Sequence, residues 1–248
     1  MANYPQLDDQ VGVWKLKEVN NAVSGGYWRN AGSRGLFSGG ITPSSSNVID
    51  FVTIATAGNA VDFGDLIVAN KQQSTLSSLT RAIMGTGNDP SLTNTNIAYV
   101  TMATEGNAAD FGDVTVGRTS MSGASNSTRG VFMGGLTPTR LNVIDYITIA
   151  STGNAIDFGN LTAARHLKEG GGNQIRGLFS GGYSPSDVID MIHIASVGNA
   201  VDFGDLSTGR WYSAAAATPT RNFYAGGDQD APAIYRDTIE FSTIATLG

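Results

Sequence analysis

The chain repeats itself, and the period constrains what it can fold into more than any other feature. The phrase Arg34-Gly35-Leu36-Phe37-Ser38-Gly39-Gly40 returns as Arg129-Gly130-Val131-Phe132-Met133-Gly134-Gly135 and as Arg176-Gly177-Leu178-Phe179-Ser180-Gly181-Gly182. Looser copies begin at Arg81 and Arg221, so the five arginines are 47, 48, 47 and 45 residues apart. Each double glycine is followed by a variable loop and then a β-branched run such as Asn47-Val48-Ile49-Asp50-Phe51-Val52-Thr53. A Gly-Asn pair (Gly58-Asn59) leads into Ala60-Val61-Asp62-Phe63-Gly64-Asp65-Leu66, which reads as a hairpin. Ahead of each arginine lies a stretch of small residues, as in Ser122-Gly123-Ala124-Ser125 or Ala214-Ala215-Ala216-Ala217.

Each unit therefore offers four strands, and four strands in about 40–50 residues is the arithmetic of a propeller blade. The second and third strands are apolar at most positions, as expected of a sheet covered on both faces. The small first strand suits the innermost place, where a tight central axis leaves little room for side chains. The predicted fold is all-β: one domain, residues 1–248, of five blades with four antiparallel strands each. The last unit ends before its fourth strand. Residues 12–19 overlay 59–66 when counted back from Arg34, so an N-terminal strand is expected to complete the last blade and close the ring. Closure matters because an open sheet edge pairs with other chains.

Composition narrows the chemistry. There is no cysteine, which excludes disulfides, thiolate metal sites and cysteine nucleophiles. Two histidines, His166 and His193, are too few for a multi-histidine centre. A net charge of −6 with few lysines argues against tracking a nucleic-acid backbone. No apolar run approaches the ~20 residues of a membrane span. The N-terminus is expected to carry no secretory signal, since it lacks the basic and apolar regions of one.

The arginine-to-double-glycine spacing, with a further arginine after the fourth strand in some units (Arg118, Arg165, Arg210), resembles the kelch repeat over about residues 12–248. The tryptophan that this family carries near the end of its unit is absent. Phe63, Phe111, Phe158 and Phe203 are expected to fill that part of the core. The resemblance implies a kelch-like propeller and a binding scaffold. The copper chemistry of the galactose oxidase branch needs a cysteine that this chain lacks. A second resemblance joins residues 47–66 and 142–161, and the opening Gly12-Val13-Trp14-Lys15-Leu16-Lys17-Glu18-Val19, to predicted virion proteins of marine tailed phages, especially cyanophages. It implies localisation to the virion and other virion proteins as partners, in several copies per particle.

Candidate sites divide into repeated and unique positions. The acids of Asp62/Asp65, Asp110/Asp113, Asp157 and Asp202/Asp205 either cap turns or hold calcium; Asn160, which replaces one of them, favours the turn, and no cofactor is expected. The pairs Arg34/Asp50, Arg129/Asp145, Arg176/Asp190 and Arg221/Glu240 are expected to be structural. In the second unit the acid becomes Ala98 and the double glycine becomes Gly85-Thr86-Gly87, which ties the acid to that turn. His193 is expected to pack in the core.

Unique residues gather in the loops, where a rigid scaffold carries function. The candidate binding face is Trp28, Arg118, Arg140, His166, Tyr183, Trp211, Tyr212, Tyr235 and Arg236. Aromatics beside Arg, Asn and Asp suit a sugar ring, and equally a protein contact. The expected function is a non-catalytic structural or interaction module of a tailed-phage particle, docking on capsid, baseplate or tail fibre. The alternative is an adhesin for a host-surface glycan. A glycosidase is disfavoured because the acids are repeated and offer no unique carboxylate pair.

Overall fold

A computed structural model describes residues 34–41, 43–87, 94–166, 169–183, 186–229 and 235–246. Among the described residues the chain is all-β and builds five antiparallel sheets of three or four strands in sequence order. The first holds β1 (Arg34–Ser38), β2 (Ser46–Thr53) and β3 (Val61–Asn70). The second holds β4 (Thr75–Ser77), β5 (Arg81–Met84), β6 (Asn96–Thr101) and β7 (Ala109–Asp113). In the third, β8 (Ser122–Ser125) and β9 (Arg129–Met133) are followed by a small separate hairpin, β10 (Leu136–Thr137) and β11 (Thr139–Arg140), before β12 (Val143–Thr148) and β13 (Ile156–Asn160). The fourth holds β14 (Glu169–Gly172), β15 (Arg176–Ser180), β16 (Ser186–His193) and β17 (Val201–Arg210). The fifth holds β18 (Ala214–Ala217), β19 (Arg221–Ala225) and β20 (Ile239–Thr243). The three middle sheets show the four strands expected of each unit. The expected closing strand, residues 12–19, lies outside the described residues.

Among the described residues the hydrophobic core forms four layers, one between each pair of consecutive sheets. Ile49, Phe51, Phe63 and Leu66 of the first sheet meet Ala82, Met84 and Val100 of the second. Ile83, Ile97 and Phe111 meet Phe132, Ile147 and Ile149. Val131, Met133, Ile144 and Phe158 meet Phe179, Ile192 and Ile194. Leu178, Ile189 and Phe203 meet Tyr224 and Ile244. Both faces of a middle sheet are thus covered, which is why β5, β9 and β15 are buried at every position after the arginine. Phe63, Phe111, Phe158 and Phe203 are 2–3% exposed and fill the core as expected.

The small first strands lie side by side: β4 touches β8, β8 touches β14, and β14 touches β18. Ser125 donates through its hydroxyl to the Ser77 carbonyl (2.8 Å), and Asn173 donates to the Pro219 carbonyl (2.9 Å). A side chain at Gly170 would collide with the Gly123 carbonyl of the neighbouring sheet.

Two sequence phrases acquire a different reason from the one expected. The Gly-Asn pairs do not make the tight hairpin turns. The chain reverses just before them, where Thr56 N–H donates to the Thr53 carbonyl. Gly106 and Ala108 then donate to the Phe63 and Asp65 carbonyls of the preceding sheet (both 2.8 Å), and the Asn107 side chain accepts from Asp65 N–H (3.0 Å). The same contacts recur at Gly153/Ala155 and Gly198/Ala200. The glycines at Gly64, Gly112 and Gly159, each following the buried phenylalanine, make this approach possible. Gly64 has φ +147, and a Cβ there would stand 2.5 Å from the Gly106 carbonyl. The second correction concerns His193, expected in the core: it ends β16 on the exposed surface, opposite Arg176.

The repeat arginines act as latches between sheets. Arg34, Arg81, Arg129 and Arg176 donate to the carbonyls of Met102, Ile149, Ile194 and Ile244 in the next sheet, at 3.0, 2.8, 3.0 and 2.6 Å. Arg34, Arg81, Arg129 and Arg221 also lie over Phe51, Tyr99, Tyr146 and Phe241 of their own sheets, at 4.3–4.5 Å from the ring centres.

Candidate functional site

The repeated charges fold into structure, with partners other than those expected. Asp145, Asp190 and Glu240 do not pair with Arg129, Arg176 and Arg221. They pair with Arg118, Arg165 and Arg210, the arginines 11 residues earlier in the chain. The Arg118–Asp145 pair, at 2.8 Å, is fully buried. Arg118 also donates to the Gly134 carbonyl (2.7 Å), and Arg210 to the Gly226 carbonyl (3.1 Å). The acid therefore does hold the double-glycine turn, through an arginine that binds both. The turn itself needs glycine: φ is +54 and +119 at Gly134 and Gly135. The Thr115 and Thr162 hydroxyls add a bond to Asp145 and Asp190, each 2.5 Å. Where the acid is Ala98, the arginine position holds Asn70. That joint replacement was the signal in the sequence for the true pairing.

Arg118 thereby leaves the candidate binding face, since it is 1% exposed. The repeated aspartates lie on strands. Asp110 and Asp113 accept from Asn96 (2.6 Å) and Thr95 (2.7 Å), and Asp202 accepts from Gly204 N–H (3.1 Å). Among the described residues no group of three or more His, Asp or Glu side chains is placed to hold a metal ion.

Five of the nine expected face residues come together at one corner. After the fourth strand of sheets one, two and four the backbone turns through a left-handed residue: Gln72, Ser120 and Tyr212 have φ of +55, +57 and +54. The residue before it pairs with the one after the double glycine, as in Thr119 with Leu136 and Trp211 with Asp228; Tyr183 N–H donates likewise to the His166 carbonyl (3.0 Å). In sheets four and five this frame holds aromatic side chains. The His166 and Tyr183 rings are 5.3 Å apart, Tyr183 meets Trp211 edge-on at 4.9 Å, and Trp211 lies against Tyr212 at 4.6 Å. Arg140, set opposite Leu136 in the β10–β11 hairpin of sheet three, lies 5.1 Å from the Tyr183 ring centre.

Burial grades across the cluster. His166 is buried, Tyr183 is 38% exposed, Tyr212 is 54% exposed and Arg140 is exposed. The Trp211 indole N–H is buried with no hydrogen-bond partner. Tyr235 and Arg236 flank this corner on sheet five. Arg236 N–H donates to the Gly227 carbonyl (2.9 Å), its guanidinium bonds Gln229, and Tyr235 is 81% exposed. Trp28 lies outside the described residues. A separate, mainly apolar cavity of about 220 Å³ sits between β1 and β4, lined by Leu36, Leu76, Ala82 and Met84 among others.

No protein-family model matches the chain, and no curated protein matches it.

Proposed function

We propose that the five sheets are the blades of a closed propeller, and that this disk is a non-catalytic structural and interaction module of a tailed-phage particle. Two observations support closure. The outer faces of sheets one and five expose residues whose equivalents are buried: Phe37 and Ile54 on one, Ile239 on the other. The arginine latch runs four times, and the fifth in the series would join Arg221 to the Ile54 carbonyl. Residues 12–19 would complete the last blade. Deleting residues 1–19 is then expected to yield aggregates and a lower Tm; an unchanged Tm with monodisperse behaviour would count against closure.

The non-catalytic reading rests on one observation: the acids Asp145, Asp190 and Glu240 recur from unit to unit and are spent on ion pairs with the arginines that hold the double-glycine turns. The place in a virion rests on the resemblance of residues 47–66 and 142–161 to phage particle proteins. It is tested by a map and a proteomic inventory of purified particles. The disk is expected at fixed positions on capsid, baseplate or fibre, against other virion proteins. Its absence from the particle would end that reading, and polysaccharide cleavage by the purified protein would end the non-catalytic one.

A further inference from the structure

We propose that the corner formed by Arg140, Tyr183, Trp211 and Tyr212 is a saccharide-binding site, and that it prefers a pyranose bearing a carboxylate. The frame of the turn does not require aromatic residues. The same left-handed turn is made with Lys71-Gln72 in sheet one and Thr119-Ser120 in sheet two, so the blade folds with small or polar residues there. Trp211-Tyr212 and His166 are therefore local additions, and they are the ones that converge with Tyr183. A non-glycine residue at positive φ carries modest strain, and at Tyr212 it holds a 54% exposed ring beside Trp211.

The chemistry of the corner selects the ligand. Tyr183 and Tyr212 present accessible ring surface, which suits the C–H face of a sugar. The remaining polar groups offer protons: two phenol hydroxyls and the Arg140 guanidinium. A ligand with an apolar face edged by acceptor oxygens matches both, and Arg140 favours a carboxylate among them. Ladder bonds on either side of the rings fix their backbone, so little order has to be gained on binding.

This inference rests on reading the chain as a binding module, and stands apart from ring closure and from any place in a particle. The test uses the full-length protein on a glycan array. Titration calorimetry with methyl glucopyranoside, methyl galactopyranoside, and glucuronate and galacturonate oligomers follows. Binding to at least one pyranose class is expected. Tyr212→Asn, which removes the ring but keeps a residue that tolerates the left-handed turn, should weaken it about tenfold. Tyr183→Ala should act likewise, and Arg140→Ala should lower affinity for the uronates more than for the neutral glycosides. Gln72→Ala, at the equivalent turn of sheet one, should change nothing. Melting curves on each variant separate lost binding from lost fold. The proposal is overturned if the wild type binds no saccharide, or if Tyr212→Asn and Tyr183→Ala both bind as the wild type does. Particle localisation of Tyr212→Asn reads the virion hypothesis independently.

Discussion

Sheets one and five carry the same sequence phrases as the sheets between them, yet their equivalent side chains meet different surroundings. Phe132 and Phe179 are 0% exposed, while Phe37 at the same step of the repeat is 61% exposed. Ile49, Ile97, Ile144 and Ile189 are at most 2% exposed, against 73% for Ile239. Ile149, Ile194 and Ile244 are buried under their neighbours, and Ile54 is 66% exposed. The repeat therefore does not bury its own apolar residues. Burial comes from the adjacent unit, as in other stacked architectures. The two outer faces match each other: Phe37 stands where a preceding sheet should cover it, and Ile239 and Phe241 belong to the sheet that would precede it in a ring.

The largest test of this contrast is a pair of truncations. Phe132→Ala should cost about 3–5 kcal/mol by opening a cavity between sheets two and three. Phe37→Ala should cost a similar amount if the ring closes, and under about 0.5 kcal/mol if that face meets water. Urea unfolding of the two variants distinguishes these cases, and a small effect at Phe37 would refute closure. Next comes the buried ion pair. Asp145→Ala strands Arg118 in the interior and should cost about 3–5 kcal/mol. Asp50, at the equivalent place in sheet one, is half-buried and makes no ion pair among the described residues, so Asp50→Ala should cost less than about 1 kcal/mol. Equal losses would mean that a partner for Asp50 comes from residues 1–33.

These tests also mark what the sequence made legible. The number of sheets, their strand order, the small inner strands and the double-glycine turns all follow from local features: spacing, φ requirements and side-chain size. The ion pairs were harder to read. Arg129 and Asp145 share a unit phrase, but Arg129 is used by Ile194 of the next sheet, and Asp145 is reached by Arg118 from the preceding connection. Periodicity says that a residue recurs. It does not say which neighbour it faces when each unit touches two others. The aromatic corner was legible only as a set of loop residues. Their convergence depends on Arg140, Tyr183 and Trp211 coming from three successive sheets, a relation that only the stacking angle creates. Arg118 was misplaced on that face because an arginine beside a loop carries no mark of burial until its acid is known.

A smaller effect probes the latches. Arg129→Met removes the bond to the Ile194 carbonyl and the stacking on Tyr146, together about 1–2 kcal/mol. Arg221→Met should match it if Arg221 reaches the Ile54 carbonyl. It should cost about half as much if stacking on Phe241 is all that is lost. Differential scanning calorimetry of both variants at one pH gives the comparison directly.

The smallest expected effect sets sheet five against the middle sheets at one position. Tyr224 stands where sheets three and four have Phe132 and Phe179, and is equally buried at 1% exposure. Its hydroxyl lies 3.0 Å from the Ser242 hydroxyl. Burial raises its pKa above the usual 10.0, and the nearby Glu240 adds to the rise, while the Ser242 bond opposes it. The folded protein thus holds this proton more tightly than the unfolded chain does. The group's contribution to stability is complete below pH 10 and is lost as pH climbs through the higher folded-state value. Tyr224→Phe should cost about 0.5–1.5 kcal/mol at neutral pH for the lost hydrogen bond. Above pH 10 the deficit should shrink, because the phenylalanine variant has no proton to lose there. Tm measured from pH 8 to 11 on both proteins reads the difference. Curves that stay parallel across that range would show that Tyr224 ionises equally in both states, and that sheet five is more open at this position than its counterparts in sheets three and four.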